Sequence, residues 1–141
     1  MSLEIIILAA GQGTRMKSDL PKVLHPVGGR PLLEHVICVA QSLEPAAIHV
    51  VVGHESAQVR SALCEYPLEW VSQEQQLGTG HAVLQVMPTV SNDSTVLVLF
   101  GDVPLLSSVA LAELVAMASA SPALLTAVVE RPFGLGRVIR D

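Results

Sequence analysis

The chain has 141 residues and a net charge of −5, and half of it is hydrophobic although only 3% is aromatic. That length suits one domain with a real core. The acidic balance excludes a general nucleic-acid binder, which needs a basic face to neutralise phosphates, but not a small anionic ligand gripped by local cations.

The first predicted element is a strand, "EIIILA" (4–9). The segment "MSLEIIILAA" carries an acid where a secretory leader needs basic residues, and its apolar run is too short to cross a bilayer, so neither a leader nor a membrane partner is expected. A glycine-bearing loop follows, and then "PLLEHVICVAQSL" (31–43). Its Leu32, Leu33, Val36, Ile37, Ala40 and Leu43 share one helical face, with Pro31 at the first position. "IHVVV" (48–52) is a second strand, 55–63 a short helix, "LEWV" (68–71) a weaker strand and 79–87 another short helix. "TVLVLF" (95–100) is a strand, and "SVALAELVAMA" (108–118) a helix whose Leu111, Leu114, Val115 and Ala118 share a face, capped by Ser107 or Ser108. "LLTAVV" (124–129) is a further predicted strand, and "PFGLGRVIRD" (132–141) turns on glycines into what reads as the start of another. The strands are nearly continuous apolar runs and alternate with helices. That pattern predicts a three-layer α/β fold with a mainly parallel sheet and Rossmann-like nucleotide-binding topology. Cys38 and Cys64 stand far apart with no C-x-x-C pair, which favours free thiols in a reducing cytoplasm over a disulfide.

The loop "LAAGQGTRMKSDLPK" (8–22) nearly fits two phosphate-binding fingerprints. G-x-G-x-x-G needs its third glycine at Met16, and the P-loop G-x-x-x-x-G-K-[ST] fails at the same residue although Lys17 and Ser18 are in register. What remains is a strand end with small residues at 9–11 and 13, where backbone amides can approach a nucleotide closely. Arg15 and Lys22 can then meet phosphate oxygens, and Pro21 favours extended geometry at Leu20. Lys17 is either a third cation or a solvated one. On this loop alone, a plain turn with solvated charges is an equal reading.

Taken further along, "LAAGQGTRMKSDLPKVLHPVGGRPLLEHV" (8–36) resembles the opening signature of the sugar-phosphate nucleotidylyltransferases. "PKVLHPVGGRPLLEHV" is most similar to the bifunctional N-acetylglucosamine-1-phosphate uridylyltransferase/glucosamine-1-phosphate N-acetyltransferase family. The likeness runs on through "QEQQLGTGHAV" (73–83), "LVLFGDVPLL" (98–106) and "GLGRVIRD" (134–141). It implies an enzyme that transfers UMP from UTP to N-acetylglucosamine 1-phosphate, giving UDP-N-acetylglucosamine and pyrophosphate with Mg²⁺. A further C-terminal β-helix domain would acetylate glucosamine 1-phosphate from acetyl-CoA and assemble a homotrimer.

The reaction places charge on a pentacovalent phosphorus and a leaving pyrophosphate, so catalysis is mainly positioning and neutralisation, with no protein nucleophile required. The resemblance gives Arg15 to the triphosphate and leaving group and Lys22 to the phosphates near the reacting phosphorus. Leu8, Ala9, Ala10 and Gly11 would meet base and ribose through their backbone. Gln73 would select uracil, since a carboxamide offers both donor and acceptor, and Gly78 and Thr79 would contact the nucleoside. Gln75 and Gln76 read as polar loop residues, and His81 as a packing or capping residue. Phe100, Gly101 and Asp102 match a family motif that commonly reads Tyr-Gly-Asp, so a phenol hydroxyl is lost. Asp102 would hold Mg²⁺ at the carboxyl end of its strand; without the resemblance it is a turn residue capping the next helix. Gly136 matches a sugar-side position. The histidines show no zinc-binding spacing.

Other sugar-recognising residues and a second metal ligand of the family find no counterpart in these 141 residues, so the expectation is an N-terminal part of the uridylyltransferase domain. Such a part should bind nucleotide weakly and release no appreciable pyrophosphate. A thymidylyl- or cytidylyltransferase, a non-catalytic nucleotide-binding module and a structural α/β domain are the rival readings.

Overall fold

A computed structural model of the chain describes residues 2–11, 18–53, 56–119 and 121–139. Four strands form a parallel sheet in the order β5-β4-β1-β6: β1 (Leu3–Leu8), β4 (Ala47–Val52), β5 (Glu69–Ser72) and β6 (Thr95–Phe100). The predicted strands at 4–9, 48–52 and 95–100 and the weaker one at 68–71 all form. A small antiparallel pair, β2 (Pro26–Val27) and β3 (Arg30–Pro31), precedes the first helix. Its turn needs positive φ at Gly28 (59°) and Gly29 (84°), which only glycine adopts without strain.

Four helices flank the sheet: α1 (Leu32–Gln41), α2 (Ser56–Ala62), α3 (Thr79–Val86) and α4 (Ser108–Met117). The period of two in a strand sorts the side chains between the two faces. Ile5 and Ile7 of β1, Ile48, Val50 and Val52 of β4, and Leu97 and Leu99 of β6 pack with Leu33, Val36, Ile37 and Ala40 of α1, Val59 of α2 and Leu111 of α4. Ile6 and Val51 face the other way, against Ala82 and Val86 of α3. Three layers result, as the alternation of elements predicts, and β1 is buried on both faces, with Ile5, Ile6 and Ile7 at 0% exposure.

The predicted boundaries shift in places. Pro31 occupies the N-cap of α1 rather than its first turn, because it is still extended (φ −52°, ψ 145°) and pairs in β3. Ser107 caps α4 by accepting from the Ala110 amide. "LLTAVV" (124–129) forms no strand among the described residues. Its start instead faces β6 across an apolar slot of about 340 Å³, walled by Ala123, Leu124 and Leu125 on one side. A strand exists only where a neighbour completes its hydrogen bonds, and 124–129 makes no ladder with β6. Residues 137–139 likewise form no strand. Cys38 and Cys64 are both free thiols. No helix among the described residues is long and apolar enough to cross a membrane.

Candidate functional site

From β1 the chain steps outward to β4 and β5, then returns across β1 to β6. The crevice at the carboxyl ends of β1 and β6 is therefore the topological switch point, where open parallel sheets bind ligands. A cavity of about 510 Å³ lies there. Leu8, Ala9, Ala10 and Gly11 line it from the end of β1, Gln73 from the end of β5, Gly78 and Thr79 from the start of α3, and Phe100 and Asp102 from the end of β6. Lys22 completes the ring, so ten of the twelve expected positions within the described residues meet in one place.

The other two stand differently. Gly101 is buried beside the cavity rather than lining it. Its amide donates to the Leu8 carbonyl at 2.9 Å, and a Cβ there would fall 3.1 Å from Leu33 Cδ1 and 3.2 Å from Leu8 O. The missing side chain lets β6 close against β1 and α1. Gly136 sits in an exposed segment and does not line the cavity. Arg15 and Lys17 lie outside the described residues.

Local anchoring explains where Lys22 points. It opens a 3-10 turn, Lys22–Leu24, whose Val23 and Leu24 are buried in the core. The His25 ring holds the Leu20 carbonyl at 3.2 Å, and the Leu32 amide donates to His25 O at 3.0 Å. With its neighbours fixed, Lys22 Nζ reaches Asp102 Oδ2 at 2.6 Å, across 80 residues of sequence. The pair is partly solvated, so its contribution to stability is small. Its significance is placement: a cation and a carboxylate face one another at the mouth of the crevice.

Gln73 is 3% exposed and tightly held. Its backbone amide continues the sheet by donating to Val52 O at 2.8 Å. Its side-chain Nε2 donates to Gly78 O at 3.1 Å and lies 2.9 Å from His81 Nδ1. Gly78 presents that carbonyl at φ 105°, a conformation closed to residues with a side chain.

Two residues read from sequence as incidental belong to this site. Gln76 lines the cavity and donates to Ala10 O at 2.6 Å, tying the loop after β1 to the loop after β5. Gly53 makes room for it, since a Cβ there would lie 2.8 Å from Gln76 Nε2. His81 holds the Gln73 carboxamide. Val23 and Ala82 add apolar wall that no motif marked. The only available signal was spacing: Gln73, Gly78 and His81 span a strand end, a loop and the first turn of a helix.

At the opposite, amino-terminal end of the sheet lies a polar cluster unrelated to the cavity. His49, buried in β4, has Nε2 3.0 Å from Glu4 Oε2 and Nδ1 3.1 Å from Glu69 Oε2. Glu4 also accepts from Ser94 Oγ at 2.6 Å and from the Ser91 amide at 3.0 Å. Hydrogen bonds from Ser94, His49 and Ser91, in that order, hold its carboxyl down at about 2.

A parallel sheet with a cavity at its switch point, ringed by small residues and a Lys–Asp pair, defines a nucleotide-binding α/β domain of the phosphate-handling kind. Comparison with known proteins agrees, and residues 5–136 match the MobA-like NTP transferase domain. The chain belongs to that family. It is 54% identical over 140 residues to the bifunctional protein GlmU of Alkalilimnicola ehrlichii, an alignment covering 99% of this chain. The chain spans only 30% of that relative's length. Among solved structures, a nucleotidyl transferase from Methanothermobacter thermautotroptrophicus superposes with a TM-score of 0.73 at 22% identity, covering 82% of this chain and 57% of that one. The manganese complex of Rv0371C from Mycobacterium tuberculosis superposes with a TM-score of 0.72 at 21% identity, over 84% and 60%. These two likenesses concern the fold.

Proposed function

We propose that the chain is the N-terminal part of a uridylyltransferase domain. Its parent transfers UMP from UTP to N-acetylglucosamine 1-phosphate, releasing pyrophosphate by direct displacement. The observation that carries this reading is the meeting of Lys22, Asp102 and Gln73 around one cavity at the switch point of the sheet, in a chain that belongs to the NTP transferase family. Curated relatives named as bifunctional GlmU proteins, 54% and 56% identical to this chain, support this member over the rival transferases.

Asp102 suits a divalent cation. It is a partly exposed carboxylate at a strand end, and among the described residues no group of three His, Cys, Asp or Glu competes as a metal site. One carboxylate matches Mg²⁺, a hard cation that keeps waters and takes its remaining oxygens from substrate phosphates. The fold's likeness to a manganese-binding relative is consistent with this. When bound, such an ion draws charge from the phosphate oxygens.

The chain's own residues do the rest. Backbone at Leu8 to Gly11 and at Gly78 approaches base and ribose, and Thr79 flanks the nucleoside. Phe100 gives an apolar wall. Lys22 neutralises oxygens at the reacting phosphorus, with Arg15 on the leaving pyrophosphate and Gly136 toward the sugar. Because Lys22 rests on Asp102, each must exchange its partner when a metal-bound triphosphate enters. The site belongs to the cytoplasm, where UTP is found, and the parent's acetylation of glucosamine 1-phosphate from acetyl-CoA and its trimeric assembly lie in its other domain.

Calorimetric titration of the chain with UTP, with and without Mg²⁺, tests this reading. Weak UTP binding that Mg²⁺ strengthens, and that Asp102→Asn makes indifferent to Mg²⁺, is the expected result. Binding unaffected by Mg²⁺ favours a nucleotide-binding module instead, and no binding overturns the assignment.

A further inference from the structure

Gln73 presents its carboxamide in one orientation, and the reason lies outside the nucleotide's reach. Gly78 O can only accept, so the Gln73 atom 3.1 Å from it is the amide nitrogen. The second hydrogen of that NH₂ points at His81 Nδ1, 2.9 Å away, which must therefore be the unprotonated ring nitrogen. The ring's other nitrogen, Nε2, lies 3.2 Å from the Gln85 side-chain amide, which also donates to His81 O at 3.4 Å. Both Gln73 donors are thus committed to protein. Among the described residues nothing donates to Gln73 Oε1, although Gln73 lines the cavity and is almost wholly buried.

We infer that His81 is a positioning residue that sets base selectivity: it locks Gln73 with its oxygen, rather than its NH₂, available to the ligand. A carbonyl oxygen accepts a hydrogen bond from the imide N3–H of uracil or thymine. Cytosine offers a bare acceptor at N3, so its lone pair would face another. A buried acceptor opposite an acceptor leaves both unsatisfied, and discrimination of this kind is strong. Turning the carboxamide would set its oxygen against two acceptors at once, Gly78 O and His81 Nδ1. With a neutral side chain that cannot accept at position 81, Gly78 O alone opposes that turn, and the NH₂ reaches the cavity to meet cytosine at a lower cost.

This rests on the nucleotide-binding reading above, and the two are separable by experiment. Titrate the unaltered chain, His81→Leu and His81→Asn with UTP, dTTP and CTP in Mg²⁺, and follow hydrogen exchange of the Gln73 carboxamide by NMR. The unaltered chain should prefer UTP and dTTP to CTP and show slowly exchanging carboxamide hydrogens. His81→Leu should lose about tenfold of that preference and exchange faster, while remaining folded by circular dichroism. His81→Asn, whose Oδ1 can accept in place of Nδ1, should restore much of both. A folded His81→Leu chain that keeps its preference and its slow exchange overturns the inference alone. Slow exchange lost in His81→Leu, with no nucleotide bound by any of the three proteins, overturns the functional reading while leaving the lock in place.

Discussion

The two sides of β1 differ sharply. Toward β4 and β5 the sheet is covered on both faces, and Ile5, Ile6 and Ile7 are wholly buried. Toward β6 the covering thins. Val98 and Phe100 are exposed on the α3 side, as are Leu105, Val109 and Met117 around α4, and Val128 is 105% exposed. Yet "LLTAVV" is as apolar as "EIIILA". The contrast shows that hydrophobic sequence states a demand for partners, and that the fold meets it only where chain is at hand to supply them.

The sharpest test of that contrast is one truncation in the buried half and one enlargement at the seam. Ile6→Ala should cost about 2–5 kcal/mol, because Val51, Ala82 and Val86 surround the cavity it leaves. Chemical denaturation measures it. Gly101→Val probes the seam between the two sides, since its added atoms would press on Leu33 and the Leu8 carbonyl. A loss of about 1–3 kcal/mol is expected in the same assay. Acid comes next. The Glu4 carboxyl titrates ordinarily at 4.5 and at about 2 when folded, so it contributes stability above 4.5 that drains away as pH falls toward 2. A Glu4→Gln chain should show a flatter stability profile across that window. Gln76→Ala removes the tie to Ala10 and should cost about 1 kcal/mol in nucleotide affinity. The smallest effect belongs to Val128→Ala, which should stay within about 0.5 kcal/mol; a larger loss would mean that the exposed side is covered in solution.

Much of this was legible in the chain. Continuous β-branched runs announced β1, β4 and β6, and the amphipathic face of α1 was read to within a residue or two, because burial on one side leaves a periodic trace. Of the site residues, Arg15 and Lys22 stood out as cations after a glycine-bearing strand end, whereas Gln73, Gly78, Thr79 and Asp102 were named through the family resemblance. What the sequence concealed was contact between side chains and backbone across loops. Gln76 and His81 look like polar filler, since nothing local distinguishes a glutamine that ties Ala10 from one in water. The failed strand at 124–129 is the converse case: propensity was present, and no pairing with β6 formed.

The pairing of Lys22 with Asp102, and of β1 with β6, has a consequence for how the molecule reaches its native state. β1 precedes β6 by about 90 residues, so Leu3 must wait for Thr95, and Lys22 for a carboxylate 80 residues further on. Parallel pairings of such separation close large loops before they gain any contact, and they are among the slowest steps in folding. The cavity is therefore assembled late, after β4 has paired with β1 and β5 with β4. The proposed nucleotide affinity is then also a clock: in a refolding experiment it should appear after helical signal does, at the moment when β6 docks beside β1.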